Sequence, residues 1–236
     1  MKQKGGKRTA MNITYIYHSS FLVETDRFYY LFDYENGSLP EMDAAKPIFV
    51  LSSHGHDDHY NPEVFPLLDS FGMKYVRAIL SDDIEDDEIP DNVDVLSVSP
   101  EMEYDLEHQL KLTTYRSTDL GVAFLIEDQD ALIYHAGDLN DWFWEGEPDS
   151  FNDQMTANYR EQIGLLARKL NGRELDAAFV VLDPRQEKAY DRGLRYFLEN
   201  VPAKKVYPMH YWENPGIIDA FLKDHPEYAT QIQKTE

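Results

Sequence analysis

The sequence predicts a single layered α/β domain, and three observations lead there. Strand-length runs of apolar and aromatic residues crowd the first half. Helical periodicity alternates with short apolar runs in the second half. No Pro-, Gly- or Ser-rich linker divides the 236 residues. The expected organisation is a basic, disordered tail over 1–10 followed by one domain over 11–236.

Strands are expected at 13–17, 21–24, 28–32 and 48–51, where apolar and aromatic residues are punctuated by Asp, Gly, Asn and Pro. From Asn61 the residues Val64, Phe65, Leu67 and Leu68 predict a short helix. Weaker strand signals follow at 75–80 and 93–98. A strand triplet is expected at 110–115, 122–127 and 131–134, its last two members joined by an Asp128-Gln129-Asp130 turn. Met155, Tyr159, Ile163, Leu166 and Leu170 then recur at helical spacing, with Asp153 as the expected N-cap and Asn171-Gly172 as the stop. The continuous apolar run 177–182 suits a buried strand. A helix over 190–199, a strand over 205–208 and a helix over 217–223 complete the pattern.

Composition excludes several classes of function. There are 22 Lys and Arg against 44 Asp and Glu, a formal charge of −22, and no Cys. Without Cys there is no disulfide framework, thiol nucleophile, cysteine zinc site or iron–sulfur cluster. Any metal site is therefore built from imidazole and carboxylate, which suits zinc, manganese or iron. The negative excess disfavours nucleic acid and anionic membranes, which are bound through clustered Lys and Arg. No apolar stretch approaches the ~20 residues that span a bilayer. Lys2, Lys4, Lys7 and Arg8 precede no apolar segment of a secretory signal, so a cytoplasmic location is expected. Met11 is an alternative start, and Asn36-Gly37-Ser38 reads as a turn.

The most informative stretch is Ser52-Ser53-His54-Gly55-His56-Asp57-Asp58-His59, which follows a buried strand and precedes a helix. One His in an acidic loop would be incidental. Three within six positions, with Asp58 and a Gly that permits a tight backbone, can point several short side chains at one spot. Alternation sets His54 and His56 on one side and the next turn carries Asp58 and His59 to a neighbouring position, a geometry suited to two cations.

This H-x-H-x-D-H motif after a strand resembles the signature of the metallo-β-lactamase fold hydrolases. Leu31-Phe32-Asp33, Tyr134-His135-Ala136-Gly137-Asp138 and Tyr207-Pro208-Met209-His210-Tyr211 extend the resemblance over residues 13 to 212. His18-Ser19-Ser20-Phe21 and His135-Ala136-Gly137-Asp138 look like the branch that includes L-ascorbate-6-phosphate lactonase. The resemblance implies an αββα sandwich of two mixed sheets flanked by helices. It implies a hydrolase using one or two divalent ions, zinc or manganese with iron as a further option, on a small-molecule ester, lactone or phosphoester. His54 and His56 would serve the first metal, Asp58, His59 and His210 the second, and Asp138 both; Asp58 and Asp138 would be catalytic. Asp33 would orient a ligand His. A bound ion of this kind lowers the pKa of water toward ~7 from ~15.7.

One departure stands out. The family places a third His for the first metal before the Gly-Asp motif, but Tyr115-Arg116-Ser117-Thr118-Asp119-Leu120-Gly121 contains none. His108 lies about seven or eight residues too early, roughly 20 Å or more along an extended strand. Three alternatives stay open: Asp119 supplies an oxygen ligand and favours a harder ion, the first site is empty or weak and leaves a mononuclear enzyme on Asp58, His59, Asp138 and His210, or Arg116 occupies the place as a fixed cation that binds an anionic substrate or disables catalysis. The missing His also allows a catalytically impaired or sensing protein. A nuclease is a poorer reading for a chain this acidic.

Other residues have two readings each. His18 is a satisfied turn residue or a group near substrate, and His135 is expected to support the loop rather than bind metal. Trp142, Trp144 and Trp212 follow the ligand motifs and either wall a pocket or pack the core. Residues 139–152 could form a mobile lip, Arg185 pairs at the surface or binds an anion, and His225 reads as an exposed helix end. A small-molecule substrate is the expected partner, without nucleic acid or membrane, and a homo-oligomer is left open.

Overall fold

The computed structural model describes residues 11–85, 89–107, 109–129 and 131–235. The expected tail over 1–10 and His108 lie outside the described residues. The first sheet contains β1 (Asn12–Tyr17), β2 (Ser20–Glu24), β3 (Tyr29–Phe32), β4 (Ile48–Ser52), β5 (Val76–Ser81) and β6 (Asp94–Val98), adjacent in chain order. β1 to β3 are antiparallel and β3 to β6 parallel, with α1 (Val64–Ser70) crossing over between β4 and β5. The second sheet contains β7 (Glu103–Glu107), β8 (Leu110–Arg116), β9 (Val122–Asp128), β10 (Ala131–His135), β11 (Ala177–Val181) and β12 (Val206–Met209). Its order is β12-β11-β10-β9-β8-β7, parallel from β10 to β12 and antiparallel elsewhere. Among the described residues α2 (Asp149–Leu170), α3 (Arg192–Asn200) and α4 (Gly216–Asp224) are the remaining α-helices.

Period-two alternation sorts the first sheet's side chains into two cores. Phe21, Val23, Tyr30, Phe32, Phe49 and Leu51 pack toward the second sheet, while Leu22, Tyr29, Leu31, Ile48 and Val50 pack with Val64, Phe65 and Leu68 of α1. Phe21 and Phe32 meet Phe179 with ring centroids 4.4 and 5.9 Å apart, which fastens sheet to sheet. Tyr159, Ile163, Leu166 and Leu170 of α2, with Leu194 and Phe197 of α3, cover the far side of the second sheet. The result is the αββα sandwich expected above. Each of these rings, once fully buried, contributes ~1.5–3 kcal/mol.

Four local expectations are corrected. α2 starts at Asp149 after Pro148, not at an Asp153 cap; Pro is well placed just before a first turn because it leaves no donor unpaired there. Its end is as expected, with Asn171 left-handed at φ 49°. Asp128, expected in the turn whose Asp130 lies outside the described residues, ends β9 instead; it is buried and accepts bonds from Thr25 Oγ1 at 3.1 Å and Tyr30 Oη at 3.0 Å, tying the two sheets together. The lip over 139–152 is anchored: Leu139, Asn140, Asp141 and Trp142 are buried, Asn140 and Asp141 are held by Gln186, and Asn152 exchanges two bonds with the Trp144 backbone. His225 is half-buried, its Nε2 2.9 Å from Asp191.

Candidate metal centre

The carboxyl ends of β3, β4, β10, β11 and β12 open onto one place, where parallel α/β sheets commonly bind ligands. Asp33 follows β3, and its N–H bonds Leu51 O at 2.8 Å, which sets the carboxylate beside the loop that follows β4. That loop carries His54, His56, Asp58 and His59. His18 sits in the tight turn between β1 and β2, Asp119 between β8 and β9, Asp138 after β10, Asp183 after β11 and His210 after β12. His18, Asp33 and His210 adopt positive φ of 48°, 42° and 63°. Such angles are uncommon outside Gly and persist where surrounding contacts enforce them.

Two glycines let the sheets close on this loop. At Gly121, φ 65°, a Cβ would lie 2.0 Å from Ser53 O, the atom that accepts the Val122 N–H. At Gly137, φ 50°, a Cβ would lie 2.6 Å from Ser53 Cβ. Both sites exclude any side chain, so the loop carrying three His is pressed directly between β9 and the Asp138 turn.

The side chains converge in two groups, each with ligand atoms within 4.8 Å of one another. One comprises His18, Asp58, His59 and His210, and the other His54, His56, Asp119 and Asp138. Asp138 faces both, with Oδ1 3.2 Å from His59 Nε2 and 3.4 Å from His210 Nε2, and Oδ2 3.8 Å from His54 Nε2. In the first group Asp58 Oδ2 lies 3.5, 3.8 and 3.7 Å from the Nε2 atoms of His18, His59 and His210. In the second, His54 Nε2 and His56 Nδ1 are 3.0 Å apart and Asp119 Oδ2 is 3.6 Å from His56 Nδ1.

The donors fit divalent ions. His18 Nε2, His59 Nε2, His210 Nε2 and Asp138 Oδ1 are buried without a hydrogen-bond partner. Each unpaired buried polar atom costs ~1–3 kcal/mol, and a cation taking their lone pairs relieves all four together. The groups differ in shelter: His18, His59 and His210 are buried, whereas His56 and Asp119 are half-exposed at 49 and 45 %.

A second layer fixes the imidazole tautomers. Asp33 accepts from the Ser53 N–H at 2.7 Å, the Ser53 hydroxyl at 2.8 Å and His59 Nδ1 at 2.7 Å. Because the Ser53 hydroxyl donates to Asp33, it accepts from His54 Nδ1 at 3.0 Å. Asp183 takes His210 Nδ1 at 3.0 Å. All three rings therefore carry the proton on Nδ1 and present Nε2 as a lone pair. His135 supports the Asp138 turn, donating from Nε2 to Ser19 O at 2.9 Å and accepting the Gly137 N–H at 3.1 Å.

Electrostatics follow from this crowding. Burial pushes the Asp138 carboxyl up, but His59 and His210 outweigh it and hold it well below the usual carboxylate range. Asp58 is also held low, burial being overcome by His18 and His59. Burial works against a charged His59, yet Asp138 and Asp33 raise it well above an ordinary imidazole. His18 and His54 are lowered, chiefly by burial.

The sequence-predicted His54, His56, Asp58, His59, Asp138 and His210 thus lie together, with Asp33 behind them. Asp119, in the stretch that carries no His, groups with His54 and His56. Arg116 turns away, its Nε 3.7 Å from Glu101, and half or more of its side chain is exposed. Trp142 donates its indole N–H to Asp138 O at 2.9 Å and lies beside His210. His18 stands among the ligand atoms rather than in an isolated turn. Asp183 is the residue that sequence reasoning missed. Its signal was available: Leu182-Asp183-Pro184 ends a buried strand with an Asp, as Leu31-Phe32-Asp33 does.

Residues 12–147 match the family model described as a beta-lactamase superfamily domain. No curated protein matches at the level of sequence. Among solved structures, similar folds include Igni18, a metallo hydrolase from Ignicoccus hospitalis, with 16 % identity, TM-score 0.64, and 96 % of this chain and 95 % of that chain covered. The metallo-beta-lactamase fold protein YhfI from Bacillus subtilis aligns with 12 % identity and TM-score 0.62, covering 95 % of each chain. The Zn2+-bound PqqB from Methylobacterium extorquens aligns with 13 % identity and TM-score 0.56, covering 92 % of this chain and 84 % of that one.

Proposed function

The chain belongs to the β-lactamase superfamily, and from that premise we propose that it is a metal-dependent hydrolase acting on a small-molecule ester, lactone or phosphoester. The observation that carries the proposal is the pair of four-residue groups, with Asp138 of one facing the other and four buried polar atoms left unpartnered. His18, Asp58, His59 and His210 would hold one divalent ion and His54, His56 and Asp119 a second, with Asp138 between them. Bound ions of this kind supply Lewis acidity and bring the pKa of water toward ~7.

The chain's own residues do the rest. Asp33 and Asp183 retain the Nδ1 protons of His59 and His210, keeping Nε2 free. Asp138 and Asp58 stay ionised at neutral pH, and Asp58, at 26 % exposure, has a route to pass a proton to solvent. An oxygen from Asp119 in place of imidazole inclines the more open position toward manganese or iron, while the His-rich position suits zinc. The motifs around His18 and His135 make a lactone, as in the L-ascorbate-6-phosphate lactonase branch, the first substrate class to try. The net charge of −22 argues against nucleic acid.

The test is elemental analysis of purified protein together with turnover over a panel of lactones, esters and phosphoesters. His59→Ala and Asp138→Ala should each remove tight metal binding and turnover. Undiminished activity in either variant refutes the proposal. A protein that takes up neither zinc nor manganese points instead to a decayed, sensing centre.

A further inference from the structure

Beside the metal centre lies a cleft of about 240 Å³ with Asp119 and Asp138 on one side. Its other walls are Thr118, Trp142, Trp144, Phe151, Met155 and Arg185. The two indoles run parallel, 4° apart in plane with centroids 5.9 Å apart. Phe151, in the first turn of α2, leaves 43 % of its surface exposed at the rim. Aromatic rings and Met155 thus form a patch in an otherwise polar wall, and among the described residues Arg185 is the single cation in the lining.

Arg185 is built in rather than loose. Its Nε donates to both carboxylate oxygens of Asp183, at 3.0 and 2.8 Å, and its Nη2 to Oδ2 at 2.5 Å. The guanidinium carbon lies 4.6 Å from the Trp212 ring centre. That clamp holds the planar group fixed on one edge, yet Nη1 has no hydrogen-bond partner among the described residues and 49 % of the side chain stays exposed. A guanidinium held on one edge presents the other to a planar anion, the arrangement that favours carboxylate recognition by Arg. Because Asp183 already neutralises much of its charge, and the chain is strongly acidic, one negative charge suits the position better than two. The cleft volume is below the ~300–1,000 Å³ of drug-sized sites, so the ligand is small.

We propose that this cleft selects substrates with an aromatic arm and a single carboxylate. The arm lies against Trp142, Trp144 and Phe151, the carboxylate on the free edge of Arg185, and the scissile group beside Asp138. This names the substrate class for the hydrolase reading above and rests on it for the reacting bond. The binding preference is measured without turnover.

The metal-loaded protein is titrated with 3-phenylpropionate and with its uncharged amide, following intrinsic tryptophan fluorescence. The acid should bind at least about tenfold more tightly than the amide. Arg185→Gln, at unchanged metal content, should erase that difference, and Arg185→Lys should keep part of it. Phe151→Ala, at an exposed position, should weaken acid and amide alike. Equal affinities in the unaltered protein, or an acid preference that survives in Arg185→Gln because the carboxylate sits on the metal, would overturn the inference. If the acid preference depends on Arg185 but no ester is cleaved, only the hydrolase reading fails. If esters are cleaved with no preference for the acid, only this inference fails.

Discussion

Replacing Asp33 by Asn changes one atom of a fully buried side chain, and the hydrogen bonds around it turn that change into a reversal of two imidazoles. The Ser53 N–H is a fixed donor 2.7 Å from Oδ1, so the amide oxygen of Asn must stay there and its NH2 must replace Oδ2. That NH2 then faces His59 Nδ1 at 2.7 Å and the Ser53 hydroxyl at 2.8 Å, both of which donated to the carboxylate. His59 must accept at Nδ1 and carry its proton on Nε2, where the metal would bind. Ser53, now receiving a bond, redirects its own proton to His54 Nδ1, which reverses that ring too. Loss of such outer support costs about 10–100-fold in metal affinity per ligand. With one ligand reversed in each group, the two ions together lose about 10²–10⁴-fold, or about 3–6 kcal/mol at 1.4 kcal/mol per decade. Asn keeps the volume, so the fold survives. Asp33→Ala would forfeit three charge-assisted bonds at ~1.5–3 kcal/mol each, a large share of a domain's stability. Competition against a chelator of known affinity measures the effect, with circular dichroism to verify folding. A folded Asp33→Asn protein that holds both ions at unaltered affinity would refute the tautomer argument.

Three further outcomes are expected. Asp119→His should raise zinc occupancy of the more open position toward one ion, and Asp119→Ala should leave about one ion per chain, both read by elemental analysis; identical stoichiometry in all three proteins would remove Asp119 from the centre. Gly121→Ala should cost several kcal/mol, about 3 or more, because its Cβ would overlap Ser53 O at a positive φ, and thermal melting within a degree or two of the parent would contradict the close approach. In metal-stripped protein the raised His59 contributes stability that is fully present below its unfolded pKa of ~6.5 and is lost as pH rises through its folded value. The lowered Asp138 and Asp58 act oppositely, present above ~4 and lost as pH falls through their folded values. Metal binding needs neutral imidazole, so the Tm gain on adding zinc should grow between about pH 5 and pH 8; a gain independent of pH would argue against ligation by these rings.

Much of this architecture was legible because local pattern and tertiary environment agree. The run 48–51 is apolar without alternation because β4 is buried on both faces, and the loop after it announces itself by His54, His56 and His59. β7 escaped notice because Glu103–Glu107 is an edge strand rich in acids, with only Leu106 buried, and lacks the apolar signature of its neighbours. The start of α2 was misplaced because the apolar stripe begins at Met155, while the first turn carries Phe151 outward to the cleft. Asp183 and His18 could not be placed from spacing. Their position depends on β11 pairing with β12 and on the turn after β1 reaching the second sheet, and both are long-range facts. Asp119 was visible as an option, and only the approach of Gly121 to Ser53 puts it beside His56.

The division of the candidate ligands and their supporting carboxylates between two sheets also bears on how the chain reaches its folded state. His18, the His54–His59 loop and Asp33 are carried by the first sheet, and Asp119, Asp138, Asp183 and His210 by the second. Neither half contains a complete group of candidate ligands. On the function proposed above, tight metal capture would belong to the late stage of folding, after the slow docking of distant segments. During synthesis a chain released before His210 would hold metal weakly, and a fully assembled one would gain stability by mass action from the ion it retains. Metal retention would then distinguish finished molecules from unfinished ones.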